Sequence, residues 1–431
     1  MSTLSSVRPP QLDALAHGRW TEESRSSDDV PGRSSRSTIT FGVLILALCK
    51  PDSLTYLGLG WLDTLLVTLD VLLLVVMLAQ LARGAFRASR VTKAIAFLFT
   101  VLAFSTVIHA GDLFLLAKMA GPAVAACLLT DYAVARNPLN FLRGAAGGLL
   151  LAFTANLFTI FLYYPEGMYS TSWVVGDTYL MGFDNAMIYN LLPLCVYALL
   201  WSLINRGRLI SAVSVAAVLV STVSVFYVQA LSGMAQIIVM LLVLFFGAIG
   251  WIRPGLRVIM LVMWCFLGTL IVLADRISFI PSELFARYGK DATLTGRTVL
   301  WHDAIEAFIS SPLTGVGVGK NLIGRDWHIY PHPHSLIADT LYTMGLLGAI
   351  AFVLIIVNVA RSLGGPQQST KAAAVIFAGV FALLVGDLVN SVQFKALFWA
   401  TFALAPHAYR LSQLALRPRD EATDVTSMTV R

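Results

Sequence analysis

The side chains able to do acid–base and anion chemistry concentrate in one stretch, residues 275–334. It holds four of the seven histidines, His302, His328, His332 and His334, together with Arg276, Arg287, Arg297 and Arg325. Arginine stays protonated and presents a planar fork that pairs bidentately with phosphate oxygens. Neutral imidazole is a competent general base near neutral pH. In a chain that is 57% hydrophobic and 13% charged such groups are scarce, so their concentration marks this stretch as the working site and the rest as its mount.

Local signals divide the stretch. Leu300, Trp301, Ala304, Ile305 and Phe308 recur at helical spacing with His302, Asp303 and Glu306 opposite them, which predicts a short amphipathic helix over 298–310 at a membrane surface. Ser310-Ser311-Pro312 stops it. The run Gly315-Val316-Gly317-Val318-Gly319 can take backbone angles closed to other residues and bring N–H groups to an anion, and it reads equally well as a flexible turn. Prolines then fix an extended approach from His328 to His334. The spacing of His328, His332 and His334, with His302, is one a metal can use, but no cysteine or paired carboxylate supports it; neither metal nor cofactor is expected. Tyr330 and Trp327 suit stacking on a sugar ring, or anchoring at an interface.

The mount is apolar throughout. A mean hydropathy of +0.77 and repeated runs of about twenty apolar residues define an all-α polytopic membrane protein, since lipid requires each span to satisfy its own backbone. Twelve transmembrane helices are predicted at 38–58, 62–82, 92–109, 113–131, 144–164, 186–204, 209–228, 230–250, 256–274, 335–360, 372–392 and 395–413. The chain thus divides into a disordered tail (1–36), a transmembrane domain (37–413) holding one large loop (275–334) with short helices, and a second tail (414–431). Apolar sequence begins only near Ile39, so no cleavable signal peptide is expected. Cys49, Cys127, Cys195 and Cys265 all sit in or beside apolar runs and read as small hydrophobes.

Charge orients the draft. With a cytoplasmic N-terminus, 21 of the 30 basic residues fall inside, one (Lys118) lies within a span, and eight lie outside, six of them in the 275–334 loop. This bias puts both tails in the cytoplasm and the long loop outside, and it accounts for the net charge of +6 without a nucleic-acid partner. Polar groups within spans, Asp70, Lys118, Asn156, Gln236, Asp339, Asp387 and Asn390, are costly in lipid. Any single one is better read as structural, with Lys118 free to reach an interface by snorkelling.

The order GRTVLW, then SPLTGVGVG, then a histidine opening HSLIADTLYTMGLLGAIAF resembles the O-antigen ligase and Wzy-type polysaccharide polymerase superfamily, and within it the polymerases of secreted exopolysaccharides of the xanthan type. The likeness covers the plan of residues 38–413 and is most specific over 287–352. It implies metal-independent glycosyl transfer on the periplasmic face of the bacterial inner membrane, from a glycan on undecaprenyl pyrophosphate to a sugar hydroxyl. By that resemblance Arg297, Arg287 and His334 are catalytic. Gly315 and Gly317 match the motif glycines, and Arg276, Arg325, His332 and Tyr330 complete the substrate contacts. One departure stands out: where members carry a Ser-Arg pair at the start of a middle span, this chain has Ser232, Gly233 and Met234, which leaves Arg276 as a substitute cation. Implied partners are the lipid-linked oligosaccharide, a chain-length regulator and export proteins. An O-antigen ligase acting on a lipid A core and a flippase for the same lipid-linked glycan remain the alternatives; a transporter would show inverted repeats, and a scaffold would not need the arginines and histidines.

Overall fold

A computed structural model describes residues 31–170, 178–205, 207–273, 297–320, 322–323, 329–330, 332–368, 370–388, 390 and 395–416. They form a bundle of α1 (Pro31–Cys49), α2 (Ser53–Tyr56), α3 (Gly60–Ala82), α4 (Arg90–Ile108), α5 (Leu113–Arg136), α6 (Pro138–Tyr163), α7 (Asp184–Ile204), α8 (Arg208–Tyr227), α9 (Leu231–Ala248), α10 (Pro254–Leu273), α11 (Arg297–Ser310), α12 (Leu336–Gly364), α13 (Lys371–Asp387), α14 (Ala396–Ala403) and α15 (Ala408–Leu416). Two antiparallel pairs, β1 (Thr178–Tyr179) with β2 (Gly182–Phe183) and β3 (Leu322–Ile323) with β4 (Ile329–Tyr330), lie in the connections.

The chain is an all-α polytopic membrane protein: among the described residues nine helices are long and apolar enough to cross a bilayer. Shorter helices accompany them: α1 with its apolar stretch Ser35–Cys49, the 17-residue α13, and α14 continued into α15 through a turn of 3₁₀ helix at Ala405–His407. The first helix starts at Pro31, ahead of the tail boundary expected at residue 36, and ends at Cys49, where Lys50-Pro51-Asp52 breaks it. Residues 1–30 and 417–431, most of the two expected tails, lie outside the described residues.

Helix starts follow local chemistry. Ser89, Asp112, Asn137 and Thr370 each accept a backbone N–H from the first turn of the helix they precede. Buried side chains dominate α4, α5, α7 and α12, which form the centre, whereas α3 turns Leu65, Leu69, Leu72 and Val75 outward as a lipid-facing stripe. Small residues bring backbones together without a hydrophobic drive. A Cβ on Gly144 would strike the Thr38 carbonyl and the Gly42 amide, so α1 and α6 touch along their glycines.

The connections sort into two ends. One, here called the loop end, gathers residues 50–59, 109–112, 164–170, 178–183, 228–230, 297–320, 322–323, 329–330 and 332–335; the other gathers 83–89, 137, 205, 207, 249–253, 365–368 and 370. The described chain enters and leaves at this second end.

Candidate functional site

The amphipathic helix forms as its spacing predicts, as α11 over Arg297–Ser310. Leu300, Trp301 and Ala304 are buried, and the helix packs on α12. His302 and Glu306 pair one turn apart on its exposed side, Nε2 to Oε1 at 3.1 Å.

After α11 the glycine run is built into the bundle as a strap. Gly315, Gly317 and Gly319 all have positive φ (65°, 75° and 92°), a region glycine enters without steric cost. A Cβ on Gly315 would lie 2.5 Å from the Met344 amide nitrogen, and one on Gly317 2.8 Å from Thr106 Cα. The amides expected to cradle an anion are used within the fold: Gly315 N–H donates to the Ser311 carbonyl at 2.9 Å, Val316 to Tyr342 at 2.8 Å, and Gly317 to Thr343 at 3.0 Å. The last two satisfy carbonyls that α12 frees at its break, Gly345, whose φ of 60° and ψ of −150° depart from helix. Leu346 and Leu347 N–H groups then donate to Pro312 and Leu313. On the other side the Ser105 hydroxyl sits between the carbonyls of Thr314 and Thr343, at 2.5 and 2.7 Å, and His109 Nε2 meets Thr314 Oγ1 at 3.0 Å.

The strap floors a hollow of about 260 Å³ lined by Gly317, Lys320, His332, Asp339, Tyr342 and Thr343, with Leu115 and Met119 at its side. The His332 and His334 rings meet edge to face with centroids 4.4 Å apart. His334 does not open the helix as expected; Ser335 precedes the first turn of α12, and His334 stands one residue further out with φ of 54°. That region is uncommon for a residue with a Cβ and gathers at functional sites. Asp339 sits in the first turn of α12, where a carboxylate is favoured by the helix dipole. In this one place the chain assembles an imidazole pair, an ammonium and a carboxylate, a set able to move a proton and hold a polar ligand.

Residues 216–353 match the O-antigen ligase family. That match runs from within α8 to within α12 and contains the whole 287–352 stretch on which the resemblance rests. A curated relative, the exopolysaccharide production protein ExoQ of Rhizobium meliloti (strain 1021), is 27% identical over 228 residues, 49% of this chain and 51% of that protein. The chain therefore spans about half the length of the curated relative it matches.

Within the family-matching stretch, His332 and His334 meet at the mouth of α12 and His332 shares a hollow with Gly317, while Gly315 packs further along α12 at its break. Arg297 begins α11 and Tyr330 lies in β4, each described by its backbone alone. Arg276, Arg287 and Arg325 lie outside the described residues. The sequence offers Lys320 only as one more loop cation, and Asp339 as a group placed to orient His334 or meet a sugar, with a structural role the better reading. The signal for Lys320 was its place directly after the glycine run; for Asp339 it was a carboxylate five residues after His334, within a first turn.

Proposed function

We propose that this protein transfers a glycan from undecaprenyl pyrophosphate to a sugar hydroxyl, on the periplasmic face of the bacterial inner membrane, and so extends an exopolysaccharide. The observation that carries the reading is the His332–His334 pair at the mouth of α12, above a hollow that also holds Lys320 and Asp339, inside the O-antigen ligase match. The similarity to a protein of exopolysaccharide production supports polymerisation over other uses of the family chemistry. The basic bias toward the opposite end supports an outward-facing loop end and cytoplasmic tails.

In this reaction the bond between the donor sugar's anomeric carbon and the pyrophosphate oxygen breaks, and a bond from that carbon to the acceptor oxygen forms. His334 takes the acceptor hydroxyl's proton, help worth roughly 10²–10⁴-fold. Arg297 and Arg287, together with Arg276 and Arg325, oppose the charge that grows on the departing pyrophosphate, a task for fixed cations where no metal takes part. His332 and Tyr330 contact the sugar, and Gly315 and Gly317 keep the strap close enough to α12 for the hollow to form. Chain-length and export proteins are the expected partners.

The test is turnover by the purified protein supplied with lipid-linked repeat units. Chain growth with release of undecaprenyl pyrophosphate upholds polymerisation. Transfer only to a lipid A core makes the protein a ligase, the activity that names its family match. Movement of the lipid across liposomes without bond formation removes the enzyme reading in favour of a flippase.

A further inference from the structure

A second hollow of about 340 Å³ opens at the loop end between α1, α3 and α5. Lys50 Nζ lies 2.7 Å from Asp63 Oδ1 and Lys118 Nζ 3.2 Å from Asp63 Oδ2, so one carboxylate bridges two ammoniums. Lys395 Nζ donates to Asp52 Oδ2 at 2.8 Å. Asp63, Val67 and Asp70 recur at i, i+4 and i+7 along one face of α3, and all three line the space. Asp70 is therefore roughly 10 Å deeper than Asp63, at about 1.5 Å of rise per residue. It is buried, and its Oδ1 makes no hydrogen bond among the described residues. Leu115 and Met119 line this hollow and the His332 hollow alike, so a single layer of side chains separates the two.

The polar lining has a definite selectivity. Each of the three ammoniums is engaged by a carboxylate, Lys50 and Lys118 by Asp63 and Lys395 by Asp52, so a phosphate entering here meets those anions along with its cations. An ammonium carries three donors and a carboxylate about four acceptor positions, and the ion pairs use only part of each. Donors and acceptors left side by side match a group that gives and accepts at once, the hydroxyl. Tyr56, stacked on Tyr169 with centroids 5.1 Å apart, adds aromatic surface at the rim. The space is at the small end of the range for small-molecule sites.

We propose that this hollow binds a neutral saccharide, and that it seats the hydroxyl-bearing sugar of the acceptor glycan one side-chain layer from the His332 and His334 rings. The acceptor role rests on the glycan-transfer reading above; the preference for saccharide over anion does not.

Full-length protein in nanodiscs prepared without sugar detergents is titrated with cellobiose, maltose and lactose, and with inorganic pyrophosphate. At least one disaccharide is expected to bind saturably, to resist displacement by pyrophosphate, and to weaken at least about tenfold in Asp70→Asn, the scale of one hydrogen bond to a charged group. Val67→Phe, which fills space without touching a charge, is expected to weaken it likewise, so that loss does not depend on the ion pairs. No saturable binding by any of the three sugars, displacement by pyrophosphate, or unchanged binding in both variants overturns the site. Saccharide binding that both variants lose, in a protein that transfers nothing, keeps the site and removes the transfer reading. Transfer with an unchanged acceptor KM in Val67→Phe removes the site and keeps the transfer reading.

Discussion

The two ends of the bundle spend their polar groups differently. At the end opposite the long loop they tie helices together. The buried Asp131 carboxylate accepts the Ser89 N–H at 2.7 Å and meets His407 Nε2 at 2.7 Å. Arg136 donates to the Ala85 carbonyl, Arg410 to that of Ala135, and the buried Arg257 to those of Leu363 and Gln368. These cations close the exposed carbonyls of neighbouring chain segments, as basic groups near helix C-termini do. At the loop end the polar groups instead line two hollows. Backbone strain divides the same way: Lys50, Ala110, Gln229 and His334, the described residues other than glycine with positive φ, all lie at the loop end. Strain of this kind costs about 1–3 kcal/mol per residue and persists only where surroundings enforce it. One end is built for cohesion, the other for occupancy.

The contrast is broken most directly at the rings. His334→Ala is expected to cut transfer by about 10²–10⁴-fold, and Arg297→Ala to stop polymer formation, with inserted protein and accumulating lipid-linked repeat units in both; near-normal polymer from both would erase the functional side of the comparison. Next comes the strap. Gly345→Ala places a Cβ 2.6 Å from the Gly315 nitrogen at a φ of 60°, so thermal melting in detergent should fall by the equivalent of about 1–3 kcal/mol or more, with activity falling alongside. A variant that melts like the parent would show that the strap is not seated in the kink.

Asp131→Ala sharpens the comparison from the other end. It strips partners from the Ser89 amide and His407, and about 1–3 kcal/mol of stability should go, while the rate per folded molecule stays at the parent value. A rate that drops with stability would mean that the cohesive end also sets the site. The smallest effect concerns Asp303 on α11, whose carboxyl is pushed above its ordinary value of 3.8 by burial first, against a lowering from His302 and with a further rise from Glu306. A raised carboxyl contributes stability at low pH that is lost as pH climbs through its folded-state value. Asp303→Asn should therefore flatten a shallow decline in melting temperature on the alkaline side of 3.8. A decline that persists in the variant assigns it to another group.

Features set by local pattern were legible in the sequence. Apolar spacing anticipated α11 to within a residue at its start, and hydropathy located the passes because a span's backbone must be satisfied within itself. Features set by partners far along the chain were not. The glycine run reads equally as an anion cradle or a flexible turn, because nothing in its own residues reveals that carbonyls of Tyr342 and Thr343 take its amides. Lys118 reads as structural or as snorkelling, with no partner named, because Asp63, 55 positions earlier on another helix, gives no local sign of sharing its hollow. His334 reads as the residue that opens the helix, whereas Ser335 takes the capping position and leaves the histidine one residue further out with a left-handed backbone.

The Ser105 hydroxyl has a consequence for how the molecule is made. Its two carbonyl neighbours arrive 209 and 238 positions later in the chain, so α4 enters the bilayer long before they exist. Until then that hydroxyl has only its own helix to bond, as serines in spans do through the carbonyl one turn back. The strap is thus seated only when α12 arrives and it can fold down between that helix and α4. A ribosome stalled before that point would leave the hydroxyl bonded to its own helix, with the Asp131–His407 and Arg410–Ala135 ties of the opposite end also still unmade.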